Sequence, residues 1–167
     1  VKDDEFEGVA VEPNIEMRTM AEAALSGHSG FVSVNAAAEH TGIADKSIDL
    51  ITVAQAFHWF DPGQFQLECR RILRTDAKVA LVWNSRDEQS PIVIELGMVC
   101  RKFCPEYKGF SGGMQNSSEI FRQFFRDGTF ESRVFQNDLA TSKESFVGGM
   151  MSSSYSPKQK DPEYQAF

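Results

Sequence analysis

The stretch "SIDLITVAQAFHWFD", Ser47 to Asp61, decides the fold. Seven residues from Ile48 to Ala54 are mostly apolar and β-branched, which reads as a strand covered on both faces, as in a parallel sheet. The run ends in Gln55, His58 and Trp59, all side chains with polar tips. Asp61 then suits a helix N-cap, Pro62 the first helical position and Gln64 the third, so three helix-start signals coincide. Phe65, Cys69, Ile72 and Leu73 recur at helical spacing and form the inner stripe of that helix. The polar corner therefore follows the carboxyl end of a strand, where open α/β sheets bind their ligands.

Working outward, the same alternation continues on both sides. Upstream, Phe6 to Glu12 is a β-branched run ending in an acid, with Pro13 expected at the first position of a helix carrying Ile15, Met17, Met20, Ala24 and Leu25. Gly27 and Gly30 mark its exit, and Phe31 to Asn35 is a second strand. Downstream, Ala77 to Trp83 is a fourth strand and Pro91 to Phe103 a further helix. The expected architecture is α/β, a Rossmann-like, doubly wound and mostly parallel sheet with helices on both faces, incomplete at its N-terminus. In the last third, Asn116 with Glu119 and Thr141 with Glu144 resemble capping boxes. Ser111 to Gly113 is expected to be a loop, and Thr129 to Asn137 alternates like a late strand. Phe121, Phe124, Phe125 and Phe130 read as core, as do Met150 and Met151, which could alternatively cover an acceptor site.

Composition narrows the function. The chain has 167 residues, 41% hydrophobic and 25% charged, which is globular usage. Its 24 acidic against 17 basic residues give a net charge of -7, which disfavours nucleic acid as a partner. No apolar run reaches the ~18 residues of a membrane span, and the charged opening does not resemble a signal peptide. Cys69, Cys100 and Cys104 form no disulfide framework, so they read as reduced packing thiols in a cytoplasmic protein. Cys100 and Cys104, four apart, share a helix face. The three histidines are scattered, and no metal site is expected.

Three strand ends carry candidate ligand groups: Glu12, then Ala38 and Glu39, then Gln55 to His58. A carboxylate at a strand end can accept both hydroxyls of a ribose, since it is acceptor-only. The bland alternative for Glu12 is a solvated acid.

Taken together, "VAVEPNIEMRTMAE", "NAAAEHTGIADKSIDLITVAQAFHWFD" and "CRRILRTDAKVALVWNSRD" resemble a class I S-adenosylmethionine-dependent methyltransferase. The likeness is to the small-molecule group that includes trans-aconitate methyltransferase-like proteins, and it runs from Val9 to Asp87. The resemblance implies S-adenosylmethionine as cofactor. It points to Glu12 for the ribose, Ala38 and Glu39 for the adenine, and Gln55 and Ala56 for the methionine portion. It puts Trp59, Asn84 and Arg86 beside a small-molecule acceptor, whereas the residues by themselves read Trp59 and Phe60 as packing under the following helix, with a wall of the acceptor site as the alternative for Trp59. His58 is the candidate base, with a packing histidine as the alternative. The whole of 1–167 reads as one partial domain: 1–87 holds the cofactor-binding strands, and 88–167 a substrate-side cover with the late strand.

One departure is large. The family's glycine-rich turn should precede Glu12 by some twenty residues, yet eleven residues precede it here and Gly8 is their only glycine. The expectation is a chain that begins after the first strand of a longer protein. The absent strand would lie between the strand ending at Glu12 and the one ending at Ala54, leaving unpaired sheet edges. The alternatives are a non-catalytic relative that binds through the same crevice and, less favoured, an NAD-dependent oxidoreductase. The latter often carries a Tyr-x-x-x-Lys pair, and Tyr107 and Tyr155 are followed four later by Ser111 and Gln159.

Overall fold

The computed structural model describes residues 7–110, 118–137 and 139–167. The chain separates into two compact units, Val1–Val82 and Trp83–Phe167. The first unit contains β1 (Gly8–Val11), α1 (Ile15–Leu25), β2 (Phe31–Val34), β3 (Ile48–Ala54), α2 (Pro62–Ile72) and β4 (Leu73–Val82). The second contains α3 (Pro91–Phe103), α4 (Ser118–Phe124) and α5 (Lys143–Met151).

The expected parallel strands are present, but they form two pairs. β1 runs parallel to β2, with Gly8 beside Phe31 and Val11 beside Val34. β3 runs parallel to β4, with Leu50 beside Lys78 and Ala54 beside Val82. Each pair is a β-α-β unit, because parallel strands need a crossover and α1 and α2 supply it. Among the described residues the strands thus form two two-stranded sheets, consistent with a partial α/β fold. The division falls between β1 and β3, the strands expected to flank the central position.

Local chemistry explains the element ends. Asn14 caps α1, its Oδ1 accepting from the amides of Glu16 at 2.9 Å and Met17 at 3.0 Å. Pro13 therefore precedes the cap instead of opening the helix. An asparagine oxygen that satisfies two orphan amides outweighs the φ preference of proline. α2 starts as expected, with Asp61 Oδ1 accepting from Gly63 and Gln64, both at 2.9 Å. Phe65, Glu68, Cys69 and Ile72 are its buried residues. Leu73 does not extend that stripe; it is the first residue of β4 and pairs with Ile48. The strand thus begins four residues before Ala77. A register shift between Ile48 and Leu50 and a positive φ of 65° at Asp76 absorb the irregularity.

In the second unit, α3 has the bounds the sequence suggests. Cys100, Cys104, Phe110 and Met150 form its buried core, with Val93, Leu96, Phe103, Tyr107, Tyr155 and Phe167 packed around them. Phe121 and Phe125 each pack on Phe130, and Phe124 on Phe125. The late strand does not form: the described residues of 129–137 have no sheet partner, and Val134 and Phe135 are largely exposed. An alternating pattern needs a neighbouring strand to become a strand. Ser142, not Thr141, caps α5, its Oγ accepting from the Ser145 amide at 3.1 Å. Asn116 and the loop Ser111 to Gly113 lie outside the described residues.

Candidate functional site

Glu12 directly follows β1. Its amide donates to Val34 O at 3.1 Å, so the ladder with β2 continues one residue beyond the strand. Its Oε1 accepts from the Asn14 amide at 2.8 Å. The carboxylate is therefore turned toward the α1 N-terminus, where the helix dipole favours negative charge. Arg18 returns from α1 to the same place. Its Nη1 lies 2.9 Å from Glu12 O, 3.0 Å from Asn35 Oδ1 and 3.4 Å from Pro13 O, while Nε pairs with Glu22 at 3.7 Å. One guanidinium joins the carboxyl ends of both strands.

The connection after β2 carries Ala38 and Glu39, both half-buried. Glu39 Oε1 accepts from the Asp61 amide at 2.9 Å, which ties this connection to the start of α2. A second tie is deeper. Glu68 Oε1 accepts from Thr41 N at 2.8 Å and Thr41 Oγ1 at 2.6 Å, and Glu68 and Thr41 are both only 7% exposed. Arg71 grips the Glu68 carboxylate through Nε at 2.9 Å and Nη2 at 2.7 Å, and reaches Asp45 at 2.6 Å. The Arg71 hydrogen bond, with those from Thr41, holds the Glu68 carboxyl at about 2, against the opposing effect of burial. α2 thus anchors the connection through Glu39 at its N-terminus and through Thr41 at Glu68 in its second turn.

The corner after β3 is the third part. Gln55 has φ +54°, a left-handed conformation that costs a side-chain-bearing residue energy. Its amide donates to Val82 O at 3.0 Å, so β4 holds the strained residue in place. Ala56 precedes a single 3₁₀ turn, Phe57–Trp59, in which Phe57 is buried. Phe60 packs 4.9 Å from the Phe65 ring, under α2 as the sequence suggests. Trp59 does not pack there: it is 70% exposed, with its ring 4.8 Å from that of His58. A short 3₁₀ turn gives neighbouring residues divergent directions, so Phe57 and Trp59 cannot both face inward. His58 Nδ1 is buried without a hydrogen-bond partner among the described residues, and desolvation lowers the imidazole pKa from its ordinary 6.5.

Asn84 and Arg86 belong to the second unit. Arg86 lies 4.4 Å over the Phe110 ring and contacts Met150 Sδ at 3.9 Å. Two cavities also lie within that unit. One of about 110 Å³ is lined by Leu96, Val99, Met150 and neighbours. The other, about 260 Å³, is lined by residues including Glu88, Arg101 and Tyr107. Neither contains a strand-end candidate.

Residues 4–81 match the model of the methyltransferase domain family. Over this segment, just under half of the chain, the protein is similar to methyltransferases. An uncharacterized methyltransferase of Mycobacterium tuberculosis strain H37Rv is 42% identical over 91 residues, 54% of this chain and 36% of the relative. An uncharacterized methyltransferase-like protein of Schizosaccharomyces pombe is 32% identical over 68 residues, 41% of this chain and 27% of the relative. The chain spans about a third of the length of these curated relatives. For the fold, a candidate type II methyltransferase from Anaeromyxobacter dehalogenans aligns over 87% of this chain and 60% of its own. Its TM-score is 0.52 at 24% sequence identity. The methyltransferase segment includes β1 to β4 up to residue 81, and with them Glu12, Glu39 and the Gln55–Trp59 corner.

Two residues of the site are not singled out by strand-end reasoning, Arg18 and Glu68. Arg18 is six residues after Glu12, far enough into α1 to fold back on the strand end. Glu68 sits among the buried positions Phe65, Cys69 and Ile72, and an acid on an apolar helix stripe signals a buried partner.

Proposed function

We propose that this chain is the part of a methyltransferase that holds the nucleoside of S-adenosylmethionine and a small-molecule methyl acceptor. The observation that carries the reading is Glu12: a carboxylate at the carboxyl end of a parallel strand, with one oxygen fixed by the Asn14 amide. Its other oxygen suits a ribose diol, because a carboxylate accepts hydrogen bonds and donates none. In this reading Ala38 and Glu39 flank the adenine, and Gln55 and Ala56 the methionine portion. Two features of the corner favour a ligand there, the strained backbone of Gln55 and the buried, unpartnered Nδ1 of His58.

When bound, S-adenosylmethionine supplies a methyl group on a sulfonium, ready for in-line displacement. The protein's task is then to align donor and acceptor, and orientation carries much of the rate. His58, kept neutral by desolvation, takes the proton of a hydroxyl or amine acceptor; a carboxylate acceptor needs no base. Trp59, exposed at the corner, offers an aromatic wall for the acceptor. Asn84 and Arg86 are assigned to the acceptor side. The domain division follows: residues 1–87 bind the cofactor and 88–167 cover the substrate. Three thiols without disulfides fit a reducing cytoplasm.

Thermal-shift measurements test this reading. S-adenosylhomocysteine raises the melting temperature and NAD does not. Glu12→Ala abolishes the shift while leaving the unliganded melting temperature within a few degrees. A full shift with Glu12→Ala overturns the ribose assignment. No shift in the unsubstituted chain favours a non-catalytic relative binding a different partner.

A further inference from the structure

We infer that Arg18 is a positioning residue for ribose recognition: it fixes the Glu12 carboxylate by clamping the carboxyl ends of β1 and β2 together. This deepens the ribose assignment of Glu12 and rests on it. β1 and β2 are only four residues each, and β1 has no second partner among the described residues. Such a short ladder frays at its ends. Glu12 sits beyond the last paired residues, Val11 and Val34, where one amide bond to Val34 O continues the ladder.

Arg18 closes this end with a ring of bonds. Its guanidinium spans from Glu12 O on the first strand to Asn35 Oδ1 after the second. Its own amide donates to Asn14 O, and the Asn14 amide donates to Glu12 Oε1. The circuit therefore runs from the strand end through the helix cap to the carboxylate and back. The Arg18 side chain is only 11% exposed, and its bond to Glu12 O is partly shielded from competing water. Arginine is suited to this because its planar fork holds several acceptors at once, while the point charge of a lysine does not. Methionine at this position would keep the aliphatic packing and remove the clamp.

The discriminating experiment compares S-adenosylhomocysteine with its 2′-deoxyribose analogue by calorimetry. The proteins are the unsubstituted chain, Arg18→Met, Arg18→Lys, Glu12→Gln and the double variant Glu12→Gln/Arg18→Met. A loss of general stability would weaken both ligands alike. A positioning role weakens the ribose ligand selectively, by about tenfold for Arg18→Met, so the ratio of the two affinities falls. Arg18→Lys gives an intermediate ratio. In the Glu12→Gln background the Arg18 substitution changes the ratio less than twofold.

If Glu12→Gln collapses the ratio and Arg18→Met leaves it at the unsubstituted value, the clamp is overturned and the ribose assignment stands. If Glu12→Gln leaves the ratio unchanged, or the unsubstituted chain binds neither ligand, the ribose assignment falls and the clamp with it. Amide hydrogen exchange gives a ligand-free check. Arg18→Met speeds exchange at the Glu12 amide by about tenfold while an amide early in β1, such as that of Val9, is unaffected. Equal acceleration at both positions overturns the clamp.

Discussion

Replacing Glu68 with glutamine tests the best-defined interaction of the first unit. The carboxylate receives two hydrogen bonds from Thr41 and two from Arg71, and Thr41 is buried beside it. The carboxyl is held at about 2 against an ordinary 4.5. Each tenfold change in proton affinity is about 1.4 kcal/mol, so full ionisation is linked to on the order of 3 kcal/mol of stability. Arg71 is partly open to solvent, which brings the expected value to about 2–3 kcal/mol. The sign follows from the direction. Because the folded state holds the carboxyl below its unfolded value, the contribution is complete above pH 4.5. It drains away as the pH falls from there through about 2. Glu68→Gln lacks this titration. Urea unfolding at pH 7 should show a midpoint lowered by about 1–2 M, given a slope of roughly 1–3 kcal/mol per molar. Between pH 5 and 2 the native chain should lose stability faster than the variant, and the two curves should converge. Parallel curves across that range, or a pH 7 difference below ~0.5 kcal/mol, would refute the reasoning.

Two further outcomes follow from local geometry. Gln55→Gly relieves a left-handed side-chain residue, and after the entropy cost of glycine it should stabilise the fold by about 0.5–1 kcal/mol; Gln55→Val should destabilise it by at least ~1 kcal/mol, both read from chemical denaturation. Burial pushes the Cys69 thiol up to about 12 and the Cys100 thiol up to about 11, and raises Cys104 as well. At pH 8 the folded chain should therefore resist a thiol reagent for hours and expose its cysteines in urea, Cys100 and Cys104 together, and rapid reaction of any one in the native state would contradict the burial account.

What the sequence discloses is governed by how local the cause is. The bounds of β3 and α3 and the start of α2 were legible because apolar runs and cap residues lie next to one another in the chain. Asp61 with Pro62 is such a case, and so is Pro91 at the first position of α3. The strand-end residues Glu12, Glu39 and Gln55 were legible because the ends of parallel strands follow from the alternation itself. Three features were not legible, since each depends on a partner remote in sequence or on the exact geometry of a turn. Thr129 to Asn137 alternates like a strand but forms no ladder among the described residues. Trp59 was expected under α2, yet the turn that buries Phe57 sends it outward. Arg18 and Glu68 act through Asn35 and Thr41, which lie 17 and 27 residues away and give no local signal.

The division of the strands into two pairs has a consequence for handling the protein. β1 and β3 each end a ladder with backbone amides and carbonyls that no neighbouring strand among the described residues engages. Val9, Val32, Leu50 and Val82 add apolar side chains that are half exposed or nearly so. Such borders template the addition of strands from other molecules. Self-association should therefore rise with concentration and compete with ligand binding, so dilution will matter more to the measured affinity than ionic strength does.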